Sequence, residues 1–272
     1  QSGVSHLIKT IEDEFGFPVL IRGKGGVRLT ENGRALLPAI REILNANDHM
    51  DQIVANIRGM SFGRLRIGTF ASASVLWLPK IIEEFSHDYP GIQIEIIVGG
   101  NDSLISQLDE SCIDFAIMSN PPQGYEWIHL ASDRMLVLLP PGHRLVDKDR
   151  VTLDEIDDDP FILSNEGFDY DVSQIIKGSG ITPRLSFSTM ENRGIIAMIQ
   201  HGLGVTVMPE MVLDSLESNV ITKELAPCEY RHMGIIVKSV HTASLAAKTF
   251  ISYAKRIISE LGTYPPIDEE LN

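Results

Sequence analysis

From Arg64 onward, apolar runs of strand length alternate with segments of helical periodicity. The first three runs, RLRIGTF, IQIEIIVG and IDFAIMS, are nearly continuous in apolar residues, as strands covered on both faces are. Helical patterns separate these runs, and such a βαβ order needs crossover connections between parallel strands. The pattern therefore predicts an α/β fold built on a mainly parallel sheet.

A second set of strands and helices follows a Pro-Pro-Gly break at residues 140–142. The run MLVLLPPGH leaves the first sheet, PFILS, RLSFS and LGVTVMP supply further strands, and MGIIVKSV precedes a final helix at 245–261. The length of 272 residues suits one large or two ordinary domains. The apolar stripe of the final helix is predicted at Leu245, Thr249, Tyr253, Ile257 and Leu261.

A long helical pattern begins at Thr30, a residue suited to the N-cap position, and continues to about Arg58. Within it, residues recur at alternating spacings of three and four, the seam of a heptad repeat that pairs helices from two chains. The seam comprises Ile40, Ile43, Asn47, Met50, Val54 and Ile57. A buried Asn47 would fix the register of the pair. The alternative is a helix lying on its own domain with Asn47 in water, although GMSFG after the helix is typical of a hinge.

The charge of the chain is unevenly distributed. It carries 23 Lys and Arg against 37 Asp and Glu, a net charge of −14, yet its first sixty residues are balanced. Because an acidic body repels nucleic acid, any contact with nucleic acid must be made through the N-terminal part. There a short amphipathic helix ends at Gly16, and two short strands flank a GKGG turn with Arg22, Lys24 and Arg28 nearby.

Sequence motifs for catalysis and for cofactors are missing. There is no G-x-S-x-G, H-E-x-x-H, Walker lysine or G-x-G-x-x-G motif, and Cys228 with His232 makes a weak metal site. The longest apolar runs are far shorter than the roughly 18 residues of a membrane helix. Cys112 and Cys228 are isolated thiols, which favours a reducing cytoplasm. We therefore expect a cytoplasmic protein with no catalytic residues, no metal, no cofactor and no membrane partner.

The stretch QSGVSHLIKTIEDEFGFPVLIRGKGGVRLTENGRALLPAIREIL closely resembles the second half of the winged helix-turn-helix domain of LysR-type transcriptional regulators. The string GLGVTVMPE at 202–210 also recurs in that family, and the chain from Gly63 to about Leu261 is similar to its effector-binding region in element order. The residues that carry the likeness in the first stretch are Val4, Ser5, Ile8, Glu12, Gly16, Pro18, Arg22, Arg28, Leu29, Thr30 and Gly33.

The resemblance implies a fold and a division of the chain. Residues 1–29 are expected to form part of a winged helix-turn-helix, 30–60 a linker and dimerisation helix, and 61–272 an effector domain. That domain is expected to have the two-subdomain fold of type 2 periplasmic binding proteins, with two crossing strands between the subdomains. Subdomain I is expected at 61–139 and 240–261, and subdomain II at 140–239. Two further helices precede this stretch in the family, so the DNA-binding unit is expected to be incomplete here.

The start of the first helix is expected to read DNA. Its first residues and one of its sides can reach base edges in the major groove, and the resemblance places base contacts of the family at Gln1, Ser2, Gly3 and His6. The predicted DNA-reading residues are Gln1, Ser2, Ser5, His6 and Lys9. Arg22, Lys24 and Arg28 are expected to contact phosphates, which position the protein without reading sequence. The alternative is ordinary surface charge.

Polar residues follow the first strands of the effector region and predict a ligand site. Ser72 and Ser74 follow the first strand and Asn101 follows the second, each at the start of a helix. Helix starts with short polar side chains suit a carboxylate or another oxyanion. The resemblance agrees, because the family holds its effectors with Ser or Thr at the positions of Ser72 and Asn101. The alternative is that these side chains only cap their helices.

The second subdomain is expected to complete the site. Ser164 and Asn165 follow the strand PFIL and should face the same cleft, where open α/β sheets bind ligands. Arg193 could pair with an anion there, or equally form a surface ion pair with Glu191. Three carboxylates near the mouth would instead favour an amine or a zwitterion, and these are Glu166, Asp169 and Asp171. The predicted ligand is a small, polar, carboxylate-bearing metabolite.

The leading interpretation is a ligand-responsive transcriptional regulator and not an enzyme. Its expected partners are operator DNA, further copies of itself in a dimer or tetramer, the metabolite, and, as the resemblance implies, RNA polymerase. One alternative is the solute-binding protein of a transport system, which shares the two-lobed fold but has no use for residues 1–58. Another is an enzyme of the hydroxymethylbilane-synthase type, which needs a cofactor-bearing Cys and an Arg-rich cleft.

Overall fold

The computed structural model describes residues 2–23, 26–57, 62–120, 123–164, 170–189, 191–216 and 220–264, apart from a few side chains within these ranges. The chain begins with a helix, a two-stranded wing and a long helix, as the sequence predicts. These elements are α1 (Ser2–Phe15), β1 (Leu20–Gly23), β2 (Gly26–Leu29) and α2 (Glu31–Ile57).

Hydrogen bonds and a close backbone contact join the wing, β1 and β2, to helices α1 and α2. The Glu12 carboxylate of α1 accepts hydrogen bonds from the backbone N–H groups of Val19 and Leu20, at 2.7 and 3.0 Å. At the start of α2, the Gly33 N–H donates to Thr30 Oγ1 at 2.9 Å. A Cβ atom on Gly33 would lie 2.2 Å from the Val19 carbonyl oxygen, so only glycine fits this contact.

The next part of the chain alternates strands and helices around one apolar core. Leu65, Ile67, Phe85, Phe115 and Phe250 are among the fully buried members of that core. The elements are β3 (Gly63–Thr69), α3 (Ala71–Leu76), α4 (Leu78–Asp88), β4 (Ile92–Val98), α5 (Asn101–Asp109), β5 (Phe115–Ser119) and β6 (Glu126–Leu139).

The rest of the chain builds a second core around Val137, Val151, Phe161 and Val207, and then returns to the first. Its first elements are β7 (Arg150–Thr152), a 3₁₀ turn (Leu153–Ile156), β8 (Phe161–Ser164), α6 (Tyr170–Ser179), β9 (Leu185–Thr189) and α7 (Asn192–Gln200). These are followed by β10 (Thr206–Pro209), α8 (Glu210–Asp214), β11 (Ile221–Ala226), β12 (Tyr230–Val237) and α9 (Leu245–Leu261). We call the part with β3–β5, α3–α5 and α9 lobe I, and the part with β7–β11 and α6–α8 lobe II.

The sheet is mixed, so the prediction of a mainly parallel sheet is wrong. Strand β3 runs parallel to β4 and β5, but β12 runs antiparallel to both β5 and β6, and β6 runs antiparallel to β10 and β11. The sheet order is β4-β3-β5-β12-β6-β11-β7. The sequence pattern predicts β10, β12 and the second half of β6 as strands but does not show their direction. It misses β11 and the first half of β6, which are rich in polar residues.

Strand β6 passes from one lobe to the other. Its residues 126–134 pair with β12, and its residues 135–139 pair with β10 and β11. Strand β6 thus crosses between the lobes as expected, and the chain returns from β11 of lobe II through β12, which pairs with β5 and with the first part of β6. The subdomain limits at 139 and 240 remain a prediction. Strand β6 changes its pairing partner between residues 134 and 135, before the predicted limit at 139.

Helix α2 rests on lobe I through one polar side. Arg41 pairs with Glu110 at 2.9 Å, and Glu42 pairs with Lys238, just after β12, at 2.9 Å. Asn45 Nδ2 donates to a lobe I carbonyl oxygen at 3.1 Å. These three residues of α2 lie at positions opposite the heptad seam, so the seam faces away from lobe I. No described helix is both long enough and apolar enough to span a membrane.

Candidate functional site

The three parallel strands of lobe I end at the same edge of the sheet. Strands β3, β4 and β5 end at Thr69, Val98 and Ser119, so the segments that follow them lie close together. Ser72 and Asn101 both lie in these segments. Ser72 is only 4% exposed, and Asn101 is half-buried.

Neither of these two side chains caps its helix. Ser72 is the second residue of α3 and Asn101 the first residue of α5, so neither holds the N-cap position. Ser72 Oγ instead accepts from Arg231 Nη2 at 3.4 Å, and Asn101 Nδ2 donates to the Ser119 carbonyl oxygen at 2.9 Å. The capping alternative is therefore wrong for both residues.

Arg231 lies at the centre of this group, on the strands that cross between the lobes. It stands directly opposite Asp133 in the β12–β6 pairing. Its Nε and Nη2 atoms contact Asp133 Oδ2 at 2.8 and 2.7 Å, and the other carboxylate oxygen accepts from the Met211 N–H at 3.1 Å. Arg231 is 6% exposed and Asp133 fully buried, and the Phe70 ring lies 4.9 Å from the guanidinium carbon. A buried ion pair of this kind is stable only with good geometry and further hydrogen bonds, and both are present here.

Asp171 brings a second carboxylate from lobe II. It lies at the start of α6, and its Oδ2 atom accepts from Ser119 Oγ at 2.9 Å, while Oδ1 accepts from Asn120 Nδ2. Arg231 Nη1 is 3.8 Å from Oδ2. Burial raises the pKa of the Asp171 carboxyl, whereas Arg231 and Ser119 favour its charged form. The Arg231 cluster consists of Ser72, Asn101, Ser119, Asn120, Asp133, Asp171 and Arg231.

A cavity of about 590 Å³ opens beside the Arg231 cluster. Asn120, Asp171 and Arg231 border it from the cluster side. A volume of this size accommodates a small organic molecule. Its other walls combine apolar and acidic side chains, among them Leu153, Ile175, Leu225, Asp154 and Glu229.

The other residues predicted for this site do not join the cluster. Ser74 Oγ donates within its own helix, to the Ala71 carbonyl at 2.6 Å. Ser164 is buried, with no hydrogen-bond partner for its hydroxyl among the described residues. Arg193 has an exposed side chain in α7. Asn165, Glu166 and Asp169 lie outside the described residues.

Sequence reasoning missed the two central residues of the cluster. Asp133 and Arg231 are charges of opposite sign within the largely apolar runs HLASDRMLVLL and YRHMGIIV. Because charged residues are almost never fully buried unless they are paired, two such charges in buried strands signal a pair. Among the described residues, no group of three His, Cys, Asp or Glu side chains is placed to hold a metal ion.

The predicted DNA-reading surface lies on α1 and the wing. His6 and Lys9 of α1 are exposed, as are Arg22 and Arg28 of the wing. Arg22 Nη2 donates to Ser5 Oγ at 3.0 Å, which places the wing beside the start of α1. Gln1 and Lys24 lie outside the described residues, and so does the side chain of Ser2.

The heptad seam of α2 is exposed. Ile40 is 42% exposed, Ile43 69%, Met50 55% and Val54 40%, and Asn47 is exposed as well. The side chain of Ile57 is outside the described residues. The polar side of α2 lies on lobe I, so the alternative of a helix that packs on its own domain holds for that side alone. Its apolar side has no partner among the described residues of this chain.

Comparison with known proteins identifies the family. Residues 58–258 match the family model of the LysR substrate binding domain. The chain belongs to the LysR-type transcriptional regulators. It is 34% identical over 260 residues to an uncharacterised HTH-type transcriptional regulator, YvbU, of Bacillus subtilis (strain 168), over 94% of this chain and 89% of that protein. A LysR-type regulator, and not the solute-binding protein of a transport system, is therefore the function class.

Solved structures of LysR-type regulators share the fold. A full-length OxyR variant from Pseudomonas aeruginosa aligns with a TM-score of 0.78 at 21% identity, over 100% of this chain and 89% of that chain. The effector binding domain of QuiR in complex with shikimate aligns with a TM-score of 0.66 at 20% identity, over 74% of this chain and 99% of that chain. The predicted fold class, a type 2 periplasmic-binding-like effector domain behind a winged helix-turn-helix segment, is confirmed.

Proposed function

We propose that the Arg231 cluster is the effector site of this LysR-type regulator and that a small polar metabolite with a carboxylate binds there. The observation that carries the proposal is where the side chains of Ser72 and Asn101 form their hydrogen bonds. Both begin helices, yet both side chains join a shared buried cluster instead of serving their own helices. Polar groups gathered at the carboxyl ends of parallel strands are the usual ligand site of open α/β sheets.

The position of the cluster suits a switch. Arg231 and Asp133 lie on the two strands that pass between the lobes, and Asp171 links lobe II to Ser119 of lobe I. A ligand that binds more tightly to one arrangement of the lobes shifts the population towards it. Because the lobes are connected to α2, this shift changes the spacing of the DNA-binding units and couples effector to operator.

The DNA-binding end is proposed to be α1 with the wing. Exposed His6 and Lys9, with Gln1, Ser2 and Ser5, would read base edges in the major groove. Arg22, Lys24 and Arg28 would contact phosphates. The balanced charge of this end, in a chain with a net charge of −14, supports the assignment because DNA would not repel it.

Self-association is proposed to occur through the seam of α2. An exposed stripe of Ile40, Ile43, Met50 and Val54 would be covered by the same stripe of a second copy, with Asn47 setting the register. LysR-type regulators bind DNA, oligomerise and bind small effectors. For this chain we propose a dimer or a tetramer built from two dimers, contact with RNA polymerase, no catalytic activity and a cytoplasmic location.

Calorimetric titration of the chain against a panel of carboxylate metabolites tests the effector site. We expect Ser72→Ala and Asn101→Ala to weaken binding of any ligand found, because each removes a polar group of the cluster. Ser74→Ala is the matched control, since its hydroxyl bonds only within α3. Full affinity in both of the first two variants would show that the ligand binds elsewhere.

An electrophoretic mobility shift assay tests the other half of the function. The regulator with a complete winged helix-turn-helix should bind an operator fragment, and the ligand found by calorimetry should change the affinity or the migration of the complex. A ligand that binds but never alters the complex would argue against coupling between the cluster and DNA.

A further inference from the structure

The groups suited to hold the carboxylate of an effector already hold one. Asp171 reaches from lobe II to lobe I, and each of its carboxylate oxygens accepts a hydrogen bond there, one from Ser119 Oγ and one from Asn120 Nδ2. Such a pair of donors on one carboxylate is the pattern with which proteins hold small acids.

These two donors are fixed by lobe I and not by Asp171. Asn101 Nδ2 holds the Ser119 carbonyl oxygen at 2.9 Å. Asn120 has a left-handed backbone with a φ of 54°, and its N–H donates to the His232 carbonyl at 2.9 Å. Asparagine tolerates this conformation better than most residues, which lets its side chain point at Asp171. The backbone of both residues is therefore held without Asp171, so the two donors stay side by side when its carboxylate leaves.

Arg231 does not need the charge of Asp171. Its guanidinium is already paired with Asp133 at 2.7 Å, whereas Asp171 is 3.8 Å away. One buried cation thus faces two carboxylates. A ligand carboxylate added beside Asp171 would make a third, and excess buried charge of one sign is strongly unfavourable. An exchange of carboxylates leaves the total charge unchanged.

We propose that Asp171 is a tethered competitor for the effector, which determines the ligand class of the site. The inference rests on the proposed function of the Arg231 cluster. An effector with a carboxylate binds by displacing Asp171 from Ser119 and Asn120, and it thereby releases lobe II from lobe I. A ligand with an ammonium group instead of a carboxylate would keep Asp171 in place and pair with it.

Formate and acetate test the exchange without knowledge of the natural ligand. Asp171→Ala removes the carboxylate and leaves a space that formate fits. We expect the variant to bind sodium formate, and more weakly the larger acetate, at least about tenfold more tightly than the unaltered chain, because removal of an internal competitor raises the apparent affinity. Thermal unfolding against increasing formate, with sodium chloride as the salt control, measures the difference.

Two further variants keep the result interpretable. Asp154→Ala removes a carboxylate that is exposed and borders the same cavity, so it controls for a general loss of negative charge. Asp171→Ser serves if the alanine variant does not fold. Adding Ser119→Ala to Asp171→Ala should abolish the gain. An equal response of the unaltered chain, Asp171→Ala and Asp154→Ala to formate, or no response in any of them, overturns the proposal.

The natural effector separates this inference from the proposed function. If a carboxylate metabolite loses affinity in Ser72→Ala but binds Asp171→Ala and the unaltered chain equally, the effector site stands and the competitor is wrong. If a ligand loses affinity in Asp171→Ala, Asp171 is a direct contact and the ligand carries an amine. If formate rescues Asp171→Ala but no metabolite binds and operator DNA is not recognised, the anion subsite stands and the proposed function fails.

Discussion

Helices α2 and α9 are both long and amphipathic, but the apolar side of α9 is buried and that of α2 is exposed. The apolar side of α9 is covered by lobe I, where Phe250 packs edge-on against Phe85 with ring centroids 5.2 Å apart. The apolar side of α2 is exposed, with Ile43 at 69%, and it is the polar side that contacts lobe I. A hydrophobic pattern thus identifies the side of a helix to be buried but not the molecule that buries it. Heptad spacing in α2 points to another copy.

The largest expected effect comes from removing a buried side chain of α9. Phe250→Ala in α9 should lower the free energy of unfolding by about 3–5 kcal/mol, because it deletes a fully buried ring and leaves a cavity. Urea denaturation measures the loss. Leu245→Ala is the control within the same helix, since Leu245 is 49% exposed and should cost below about 1 kcal/mol. Equal losses would contradict the burial of α9.

A charge placed on the exposed apolar side of α2 should weaken self-association. Ile43→Asp in α2 should weaken self-association at least about tenfold, since a charge in the seam must be desolvated in the pair. Sedimentation over a range of concentrations measures it. Ile53→Asp is matched in chemistry, because Ile53 is also exposed at 45% but lies off the seam. Equal damage from the two changes would show that the register is wrong.

A smaller effect is expected on DNA binding from the wing. In the regulator with a complete winged helix-turn-helix, Arg28→Ala should weaken binding to all sequences and lower the slope of affinity against salt by about 1. His6→Ala should instead change the preference between operators, because the exposed His6 is one of the residues of α1 proposed to read bases. An unchanged salt slope in Arg28→Ala would count against the phosphate contact.

The smallest expected effect concerns the polar side of α2. Glu42→Ala breaks an ion pair with Lys238 in which both side chains are well exposed, so stability should change by about 0–1 kcal/mol. Hydrogen exchange should nevertheless be faster in α2 and unchanged in α9, because a local contact limits local opening. A loss comparable to that of Phe250→Ala would mean that the contacts of α2 with lobe I are part of the core.

The sequence predicts the ends of α9 correctly and its buried side wrongly. The predicted stripe uses a strict four-residue spacing, and only Ile257 of it is fully buried, while Leu245 and Leu261 are about half exposed. At 3.6 residues per turn, a spacing of four drifts about 40° at each step and leaves the core side. The buried side follows the mixed spacing of Phe250, Ile251, Ala254, Ile257 and Ile258.

The candidate site divides in the same way. Ser72 and Asn101 could be placed from the sequence, because the carboxyl ends of parallel strands meet at one edge whatever the details of packing. Arg231 and Asp133 could not, because their pairing depends on the register of two antiparallel strands that lie far apart in sequence. The prediction of Arg193 rests on its charge alone, and a charge without a predicted neighbour does not show where the side chain lies.

The close contact at Gly33 fixes the wing to the start of α2, so the wing moves with that end of the helix. The distance from Glu31 to Arg41, which pairs with Glu110 of lobe I, is about 15 Å at the rise of an α-helix. A rotation of about 20° at that contact would therefore carry the wing about 5 Å, between one and two base-pair steps along DNA. A small movement in lobe I would thus be enlarged at the wing, and Pro38, which lies within this part of α2 and removes one backbone hydrogen bond, is a point at which the helix can bend.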